Sequence, residues 1–155
     1  MHKTNAMRIL ELNKIPYKYF EYDVEEDDLS GLTVAKKINA NPEEVFKTLV
    51  ATGDKTGFCV FCIPVEYELN LKKAAAVSNN KSVELIKLKD LQNITGYIRG
   101  GCSPIGMKKQ FPTYIDETAQ LFDEIFVSAG IRGIQIKINP LSLCQITNAK
   151  FCDLI

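Results

Sequence analysis

The chain has 155 residues, of which 46% are apolar and 25% are charged. That length is sufficient for one hydrophobic core and short for two, so we expect a single domain over residues 1–155. Lysine plus arginine and aspartate plus glutamate both number 19, which gives a formal net charge of zero. This balance excludes the strong overall attraction of a non-specific nucleic-acid binder. Any contact with RNA would therefore be local or assisted by a partner.

Targeting and membrane segments are not predicted. The first residues do not combine a basic start with a long apolar stretch, and no apolar run approaches the roughly 20 residues of a membrane span. The cysteines number 5 and are spread through apolar segments, which is typical of a reducing compartment rather than of a disulfide framework. We therefore expect a cytoplasmic protein with no membrane contact.

Cys59 and Cys62 form a C-x-x-C spacing, which suggests zinc or redox chemistry in other settings. Here both lie in an apolar, β-rich run from Gly57 to Ile63. Residues three apart in a strand point to opposite faces of the sheet. The sequence has no second C-x-x-C, and its single histidine, His2, lies at the start of the chain. The remaining ligands of a metal site are therefore lacking. We expect plain core cysteines, with no metal and no cofactor.

Helical and strand periodicities alternate in the first half of the chain. Thr4 can cap a helix whose apolar residues recur at helical spacing, and Pro16 ends it. Two β-like runs separated by a glycine-bounded loop predict a hairpin at the centre of the sheet. The remaining predicted segments are a strand over 17–22, a helix over 33–38, and the hairpin strands over 45–52 and 58–65.

The second half of the chain predicts more strands than helices. The helices are a segment over 71–77 capped by Asn70, a short one over 90–94 closed by Gly96, and a last one that begins at Pro140. The strands cover 83–86, 97–99, 113–116, 124–128 and 134–138. Because helices and strands alternate irregularly, with hairpins as well as crossovers, we expect an α+β fold with a mixed sheet flanked by helices.

Lys47 is the most unusual residue of the hairpin strands. Strand alternation places it on one face with three apolar residues, Val45, Leu49 and Ala51. Burying an unpaired ammonium is costly, so this group must reach water, a carboxylate or an anionic ligand, or lose its proton. The alternative is an edge-strand lysine whose stem covers apolar surface while its head reaches solvent.

A glycine-rich bend runs from Arg99 to Gly106. The adjacent Gly100 and Gly101 would let the backbone approach a ligand, and their amides could donate to a carbonyl or phosphate oxygen. An ordinary tight connection held by Pro104 explains the same residues. The spacing is neither that of a P-loop nor that of a dinucleotide-binding loop.

A second segment rich in small residues joins the strands predicted over 124–128 and 134–138. Ser128 could shape a pocket wall there, and Gln135 can both donate and accept hydrogen bonds. A simple hairpin turn explains the glycines of this segment equally well.

A hydrolase of the Ser-His-Asp or Cys-His type is not expected. The single histidine, His2, lies near the amino terminus, where chains fray. Cys102 lies in the glycine-rich bend, but its apolar flank and the lack of a nearby histidine disfavour it as a nucleophile. Catalysis in this chain would have to use other groups.

Three segments, taken in order, resemble the YbaK/EbsC family, whose best-known members are Cys-tRNA(Pro) deacylases related to the editing domain of prolyl-tRNA synthetases. The segments are Phe46-Lys47-Thr48-Leu49-Val50, Gly100-Gly101-Cys102-Ser103-Pro104-Ile105-Gly106 and Ser128-Ala129-Gly130-Ile131-Arg132-Gly133. The likeness runs over nearly the whole chain, from Lys3-Thr4-Asn5-Ala6 to Ala149-Lys150-Phe151-Cys152-Asp153. It implies one editing domain with a curled, mixed sheet flanked by helices.

The resemblance also implies the residues of the site. Lys47 corresponds to the family's essential lysine and Tyr22 to a pocket tyrosine, although Tyr22 alone would be interpreted as a core aromatic. Some relatives carry an aspartate at the position of Gln135, and the neutral amide here leaves the detailed substrate preference open. The other residues expected at the aminoacyl site are Thr48, Gly100, Gly101, Ser103, Pro104, Ser128 and Gly130.

The activity implied is release of cysteine from mischarged Cys-tRNA(Pro) by substrate-assisted cleavage, in which the cysteine thiol attacks its own ester carbonyl. We expect Lys47 to hold the terminal adenosine or its phosphate, and the amides of Gly100 and Gly101 to face the carbonyl oxygen. Two alternatives are clearance of another small amino acid, such as alanine from tRNA(Pro), and a non-catalytic module that binds tRNA or a synthetase. The expected partners are aminoacylated tRNA and, by resemblance, prolyl-tRNA synthetase, with no DNA.

Overall fold

The computed structural model describes residues 2–155, which contain five short α-helices. They are α1 (Asn5–Leu12), α2 (Gly31–Lys37), α3 (Leu71–Val77), α4 (Leu91–Thr95) and α5 (Pro140–Thr147). Four of them begin at a capping side chain that accepts from first-turn amides, namely Thr4, Ser30, Asn70 and Asn139. Turns of 3-10 helix cover Pro42–Glu44, Leu88–Asp90 and Glu117–Leu121. Within 2–155, no helix is long and apolar enough to cross a membrane.

Eight strands of the described residues form two sheets. They are β1 (Lys18–Glu21), β2 (Phe46–Gly53), β3 (Gly57–Pro64), β4 (Val83–Leu85), β5 (Thr113–Asp116), β6 (Ile125–Ser128), β7 (Ile134–Ile138) and β8 (Lys150–Cys152). The smaller sheet has the order β1-β7-β6 and is antiparallel, whereas the larger has the order β4-β2-β3-β5-β8 and includes parallel pairs of β5 with β3 and β8. The α+β fold with a mixed sheet is thus confirmed, and the structure divides that sheet in two.

The junction of the two sheets leaves part of one strand edge uncovered. A parallel bridge between Val45 and Phe126 joins the sheets just before β2 begins. At the other end of β2, β4 pairs only with Ala51–Gly53. Residues 46–49 lie between these two contacts, and no described strand continues along that edge. This gap in the sheet holds the cleft described below.

The core lies on both faces of the central hairpin strands. Cys62 packs in the apolar cluster that contains Met7 of α1 and Leu143 of α5. Cys59 packs in a different cluster, with Ala74 of α3. The two thiols therefore face opposite sides of the sheet, as strand alternation predicts. Among residues 2–155, no three His, Cys, Asp or Glu residues are arranged to hold a metal ion.

The predicted strand over 97–99 is wrong. Gly96 has φ 89° and Gly100 has φ 83°, so left-handed backbone interrupts the chain on both sides of this segment. The amide of Tyr97 donates to Thr95 Oγ1, and the amide of Gly101 donates to the carbonyl oxygen of Ile98. The segment is therefore a turn that leads into the glycine-rich bend. The sequence also did not predict the short strand β8 or the 3-10 turn at Glu117–Leu121.

Candidate active site

A cleft of about 470 Å³ opens beside the uncovered edge of β2. Its walls come from α2 and the residues before it, from β2, from the turn that precedes α4, from the glycine-rich bend, and from β6 and β7. The described residues that line it are Leu29, Ser30, Gly31, Leu32, Val34, Val45, Phe46, Lys47, Thr48, Leu49, Val65, Leu88, Leu91, Arg99, Gly100, Cys102, Ser128 and Gln135. Two open grooves of similar volume, about 430 and 500 Å³, contain none of the predicted site residues.

Lys47, the second residue of β2, lines the cleft and is partly buried. The residue opposite it on β3, Ile63, is fully buried. Burial lowers the pKa of the Lys47 ammonium, and attraction to Glu68 offsets part of that effect. The ion pairs formed by residues 2–155 do not include Lys47. A cation with no ion-pair partner of its own can bind an anionic group of a ligand.

The backbone of Thr48 faces the uncovered edge of β2. The carbonyl oxygen of Val45 accepts from Val65 on the β3 side, whereas that of Val50 accepts from Ile86 on the other side. Peptide groups of successive residues in an antiparallel pair alternate in direction, so the N–H and C=O of Thr48 point toward the cleft. The Thr48 side chain turns instead to Cys62, whose Sγ lies 3.9 Å from its Oγ1.

Gly100 brings the glycine-rich bend to the cleft with φ 83°, a left-handed conformation that favours glycine. Two hydrogen bonds fix the bend around it. Arg132 Nε donates to the carbonyl oxygen of Arg99 at 2.8 Å, and the Tyr97 hydroxyl donates to the carbonyl oxygen of Ile105. The bend is thus tied to the connection between β6 and β7.

The other predicted residues of the two loops do not line the cleft. The Gly101 amide donates to Ile98 O at 2.9 Å, so it has no proton left for a substrate and the role expected for it is corrected. Ser103 is fully buried, and its Oγ accepts from the amide of Ile105. Pro104 lines a different cavity, and a Cβ on Gly130 would lie 3.0 Å from the Tyr97 ring. These residues shape the loops rather than the floor of the cleft.

Tyr22 lies beside the cleft but not in its lining. It borders a small neighbouring cavity that includes Gly100, Thr33 and Lys37. Its amide donates to the carbonyl oxygen of Gly133 at 2.9 Å, which extends the pairing of β1 with β7. In this structure Tyr22 supports the wall behind Gly100.

Ser128 and Gln135 are directly opposite each other on β6 and β7, and both line the cleft. Ser128 Oγ accepts from the amide of Gly130 at 3.1 Å, which leaves its hydroxyl proton available to a ligand. Gln135 is 6% exposed, and its Oε1 is buried without a hydrogen-bond partner among the described residues. Unpaired buried acceptors are rare in native proteins and call for an explanation.

Cys102 lines the cleft, but its thiol is poorly suited to attack a substrate. Burial raises the pKa of the Cys102 thiol to about 12, so it is protonated at neutral pH. A protonated thiol is a weak nucleophile, and His2 is exposed near the start of the chain. The arrangement agrees with the expectation that Cys102 is not catalytic.

Of the cleft residues that were not predicted to belong to the site, three offer exposed charge or apolar surface. Arg99 is exposed and adds a second cation, which its place before the glycine pair could have suggested. Leu32 and Leu88 line the cleft although they are 51% and 61% exposed. No local sequence signal marks these leucines, because only the fold brings α2 and the turn before α4 to the same cleft.

Comparison with known proteins gives consistent results. Residues 31–146 match the family model described as the aminoacyl-tRNA editing domain. EbsC of Enterococcus faecalis, named as a proposed Cys-tRNA(Pro)/Cys-tRNA(Cys) deacylase, is 53% identical over 98% of this chain and 93% of its own. The uncharacterized protein YwhH of Bacillus subtilis is 23% identical over 84% of each chain.

Solved structures match the fold over nearly the whole chain. A protein proposed to be a trans-editing enzyme for prolyl tRNA synthetase superimposes with a TM-score of 0.81 at 22% identity, covering 99% of this chain and 98% of that one. The hypothetical protein APE2540 superimposes with a TM-score of 0.85 at 17% identity, covering 95% and 96%. The sequence matches and the shared fold lead to one conclusion: the chain belongs to the aminoacyl-tRNA editing domain family.

Proposed function

We propose that this chain acts as one editing domain that releases cysteine from mischarged Cys-tRNA(Pro). The family match and the 53% identity to EbsC support an aminoacyl-tRNA substrate with cysteine as the amino acid. The observation that carries the proposal is that Lys47 lines a cleft shared with Gly100 and Ser128, while its ammonium forms no ion pair with any residue in 2–155. An unpaired cation beside a glycine, whose backbone a ligand can approach closely, suits the phosphate and ester oxygens of an aminoacylated tRNA terminus.

The cleft offers separate surfaces for the two halves of that terminus. Lys47 and Arg99 supply positive charge for phosphate oxygens. Leu32 and Leu88 are the exposed apolar residues of the lining, so they provide a surface for the adenine base. The aminoacyl group then extends toward the buried Ser128 and Gln135.

The chemistry proposed here uses the thiol of the substrate. Its sulfur forms a bond with the ester carbonyl carbon, the bond from that carbon to the ribose oxygen breaks, and the thiol proton ends on the ribose oxygen. The products are a cyclic cysteine thiolactone and uncharged tRNA. The protein contributes position and charge rather than a nucleophile, in keeping with the raised pKa of the Cys102 thiol, about 12.

Prolyl-tRNA synthetase is the proposed protein partner. A net charge of zero supplies little overall attraction to tRNA. Lys73, which adjoins the exposed Lys72 in the first turn of α3, is also engaged, since its Nζ lies 2.8 Å from Asp153 Oδ2. Recruitment by a synthetase that has just released the mischarged tRNA would compensate for weak tRNA binding.

A deacylation panel tests the proposal. The substrates are Cys-tRNA(Pro), Cys-tRNA(Cys), Ala-tRNA(Pro) and correctly charged Pro-tRNA(Pro), each with and without prolyl-tRNA synthetase. We expect cysteine to be released at least about tenfold faster than alanine or proline, because alanine has no thiol and proline has no nucleophilic side chain. Equal release of alanine would favour the broader deacylase, and tRNA binding without release of any amino acid would favour a non-catalytic module.

A further inference from the structure

The side-chain carbonyl oxygen of Gln135, a residue of the cleft, has no hydrogen-bond donor within residues 2–155. The side chain is more than nine-tenths buried, its Oε1 has no partner among the described residues, and the residue lines the cleft. Leaving a buried acceptor unpaired is unfavourable unless another molecule supplies the donor. Because Oε1 itself is buried, the terminal amide must rotate to present it to the cleft, and a ligand there gains by supplying the donor.

The charges around Gln135 determine which donor is suitable. The described residues that line the cleft include two cations, Lys47 and Arg99, and no Asp or Glu. With Lys47 and Arg99 occupied by phosphate oxygens and no carboxylate in the lining, an ammonium beside Gln135 would lose its hydration without gaining an anionic partner. An uncharged N–H or O–H group satisfies Oε1 without that cost.

The neighbouring elements do not supply a free carboxylate beside this amide. On β7 itself, Lys137 lies on the same face as Gln135, with its Nζ 5.2 Å from the centre of the Phe126 ring. The residues paired with Gln135 on either side are Phe20 and Ser128. On α2, Lys37 is already paired with Glu25 at 3.3 Å. Glu68 attracts the Lys47 ammonium, but it does not line the cleft.

We propose that Gln135 determines substrate specificity by accepting a hydrogen bond from an uncharged donor on the α carbon of the aminoacyl group, so that the site takes the α-amine in its neutral form. The inference rests on the proposed function and adds the form of the substrate. A free α-amine titrates at about 8, so the neutral form is available near neutral pH. An α-hydroxyl group is a neutral donor of similar size, and the site should accept it as a replacement.

Binding of three stable analogues tests this assignment without any chemical step. Each carries an amide in place of the ester between the terminal ribose and the acyl group, and each keeps the thiol side chain. They differ only at the α carbon, which bears an amine, a hydroxyl or hydrogen. For the unmodified protein at about pH 9, where most of the α-amine is neutral, we expect the amine and hydroxyl analogues to bind within about threefold of each other. The hydrogen analogue should bind about tenfold or more weakly, since it leaves the acceptor unpaired.

Two substitutions of Gln135 separate charge from hydrogen bonding. Gln135→Glu places a carboxylate at the same position, so it should favour the amine analogue over the hydroxyl analogue by about tenfold or more. Gln135→Met keeps the length and removes the acceptor, so its affinities for the hydroxyl and hydrogen analogues should agree within about threefold. Gln120→Glu, which makes the same change at an exposed residue outside the cleft, should behave like the unmodified protein.

Each outcome has a defined meaning. The assignment is overturned if the unmodified protein binds the amine analogue tenfold more tightly than the hydroxyl analogue, if the hydrogen analogue binds as tightly as the others, or if none of the three binds. Correct binding order together with no deacylation of Cys-tRNA(Pro) would reject the proposed reaction and leave the role of Gln135 standing. Deacylation with the wrong binding order would reject Gln135 alone.

Discussion

Gly101 packs directly against the backbone of Ile131: a Cβ on Gly101 would lie 3.1 Å from both the Cα and the carbonyl carbon of Ile131. This contact joins the glycine-rich bend to the connection between β6 and β7. The same two segments carry Gly100 and Ser128 to the cleft. Gly101 therefore acts on the site through the fit of two loops, not through its amide.

Gly101→Ala should lower the free energy of unfolding by ~1–3 kcal/mol, the usual cost of forcing an added methyl into a close contact. Ligand affinity at the cleft should fall as well, because the bend must move away from Ile131. Urea unfolding and binding of the amide-linked amine analogue measure the two effects. Gly57→Ala is the control for affinity: Gly57 does not line the cleft, and its φ of 77° means that an alanine there lowers stability through backbone strain while leaving the cleft unchanged. A Gly101→Ala variant with unchanged stability and affinity would contradict this interpretation.

Cys102→Ser should retain deacylation within about threefold of the unmodified protein. The pKa of the Cys102 thiol is raised to about 12 by burial, so the group is not a thiolate under physiological conditions. Rates of cysteine release from Cys-tRNA(Pro) measure the effect. A loss of more than about a hundredfold, the scale expected on removing a nucleophile, would show that the protein and not the substrate supplies the attacking sulfur.

The free energy of unfolding should depend on pH in the way expected for a partly buried lysine. Because burial lowers the pKa of Lys47 in the folded state, the unfolded chain keeps a proton that the folded chain has lost between that lowered pKa and 10.5. Stability rises with pH wherever the unfolded state binds more protons. The free energy of unfolding of the unmodified protein, relative to Lys47→Met, should therefore increase as pH rises through this window.

Urea unfolding of both proteins at a series of alkaline pH values gives that difference. Below the window both states are protonated, so the unmodified protein bears the full cost of burying the charge. Lys55→Met is the matched control, because Lys55 is exposed in the loop between β2 and β3. A difference for Lys47→Met that stays flat with pH would mean that its ammonium is fully solvated.

Local signals predicted much of the fold. The helix over 71–77 is capped by Asn70 as expected, because the Asn70 side chain accepts from the amides of Lys72 and Lys73. The position of Gly96 at the end of α4 follows from its left-handed backbone. By contrast, β8 has three residues and pairs in parallel with a strand far away in sequence. No periodicity can be read from so short a segment, so its existence depends on tertiary contacts.

The candidate site was predicted in part. Strand alternation marked Lys47 because a charged residue stood among apolar ones, and the cleft brings it together with Gly100, Ser128 and Gln135. The sequence could not show which amides of the glycine-rich bend are free, since that depends on the hydrogen bond from Gly101 to Ile98. Nor could it show that Gln135 Oε1 lacks a partner, because this requires the packing of three strands and a helix.

The most direct measurement is the rate of cysteine release from Cys-tRNA(Pro) by the unmodified protein, by Lys47→Met and by Lys55→Met under single-turnover conditions. Lys47→Met should release cysteine about a hundred to a thousand times more slowly, the cost of removing one group that stabilises charge in an active site, while its circular dichroism stays native. Lys55→Met should match the unmodified protein. Full activity of Lys47→Met would contradict the assignment of this cleft as the editing site.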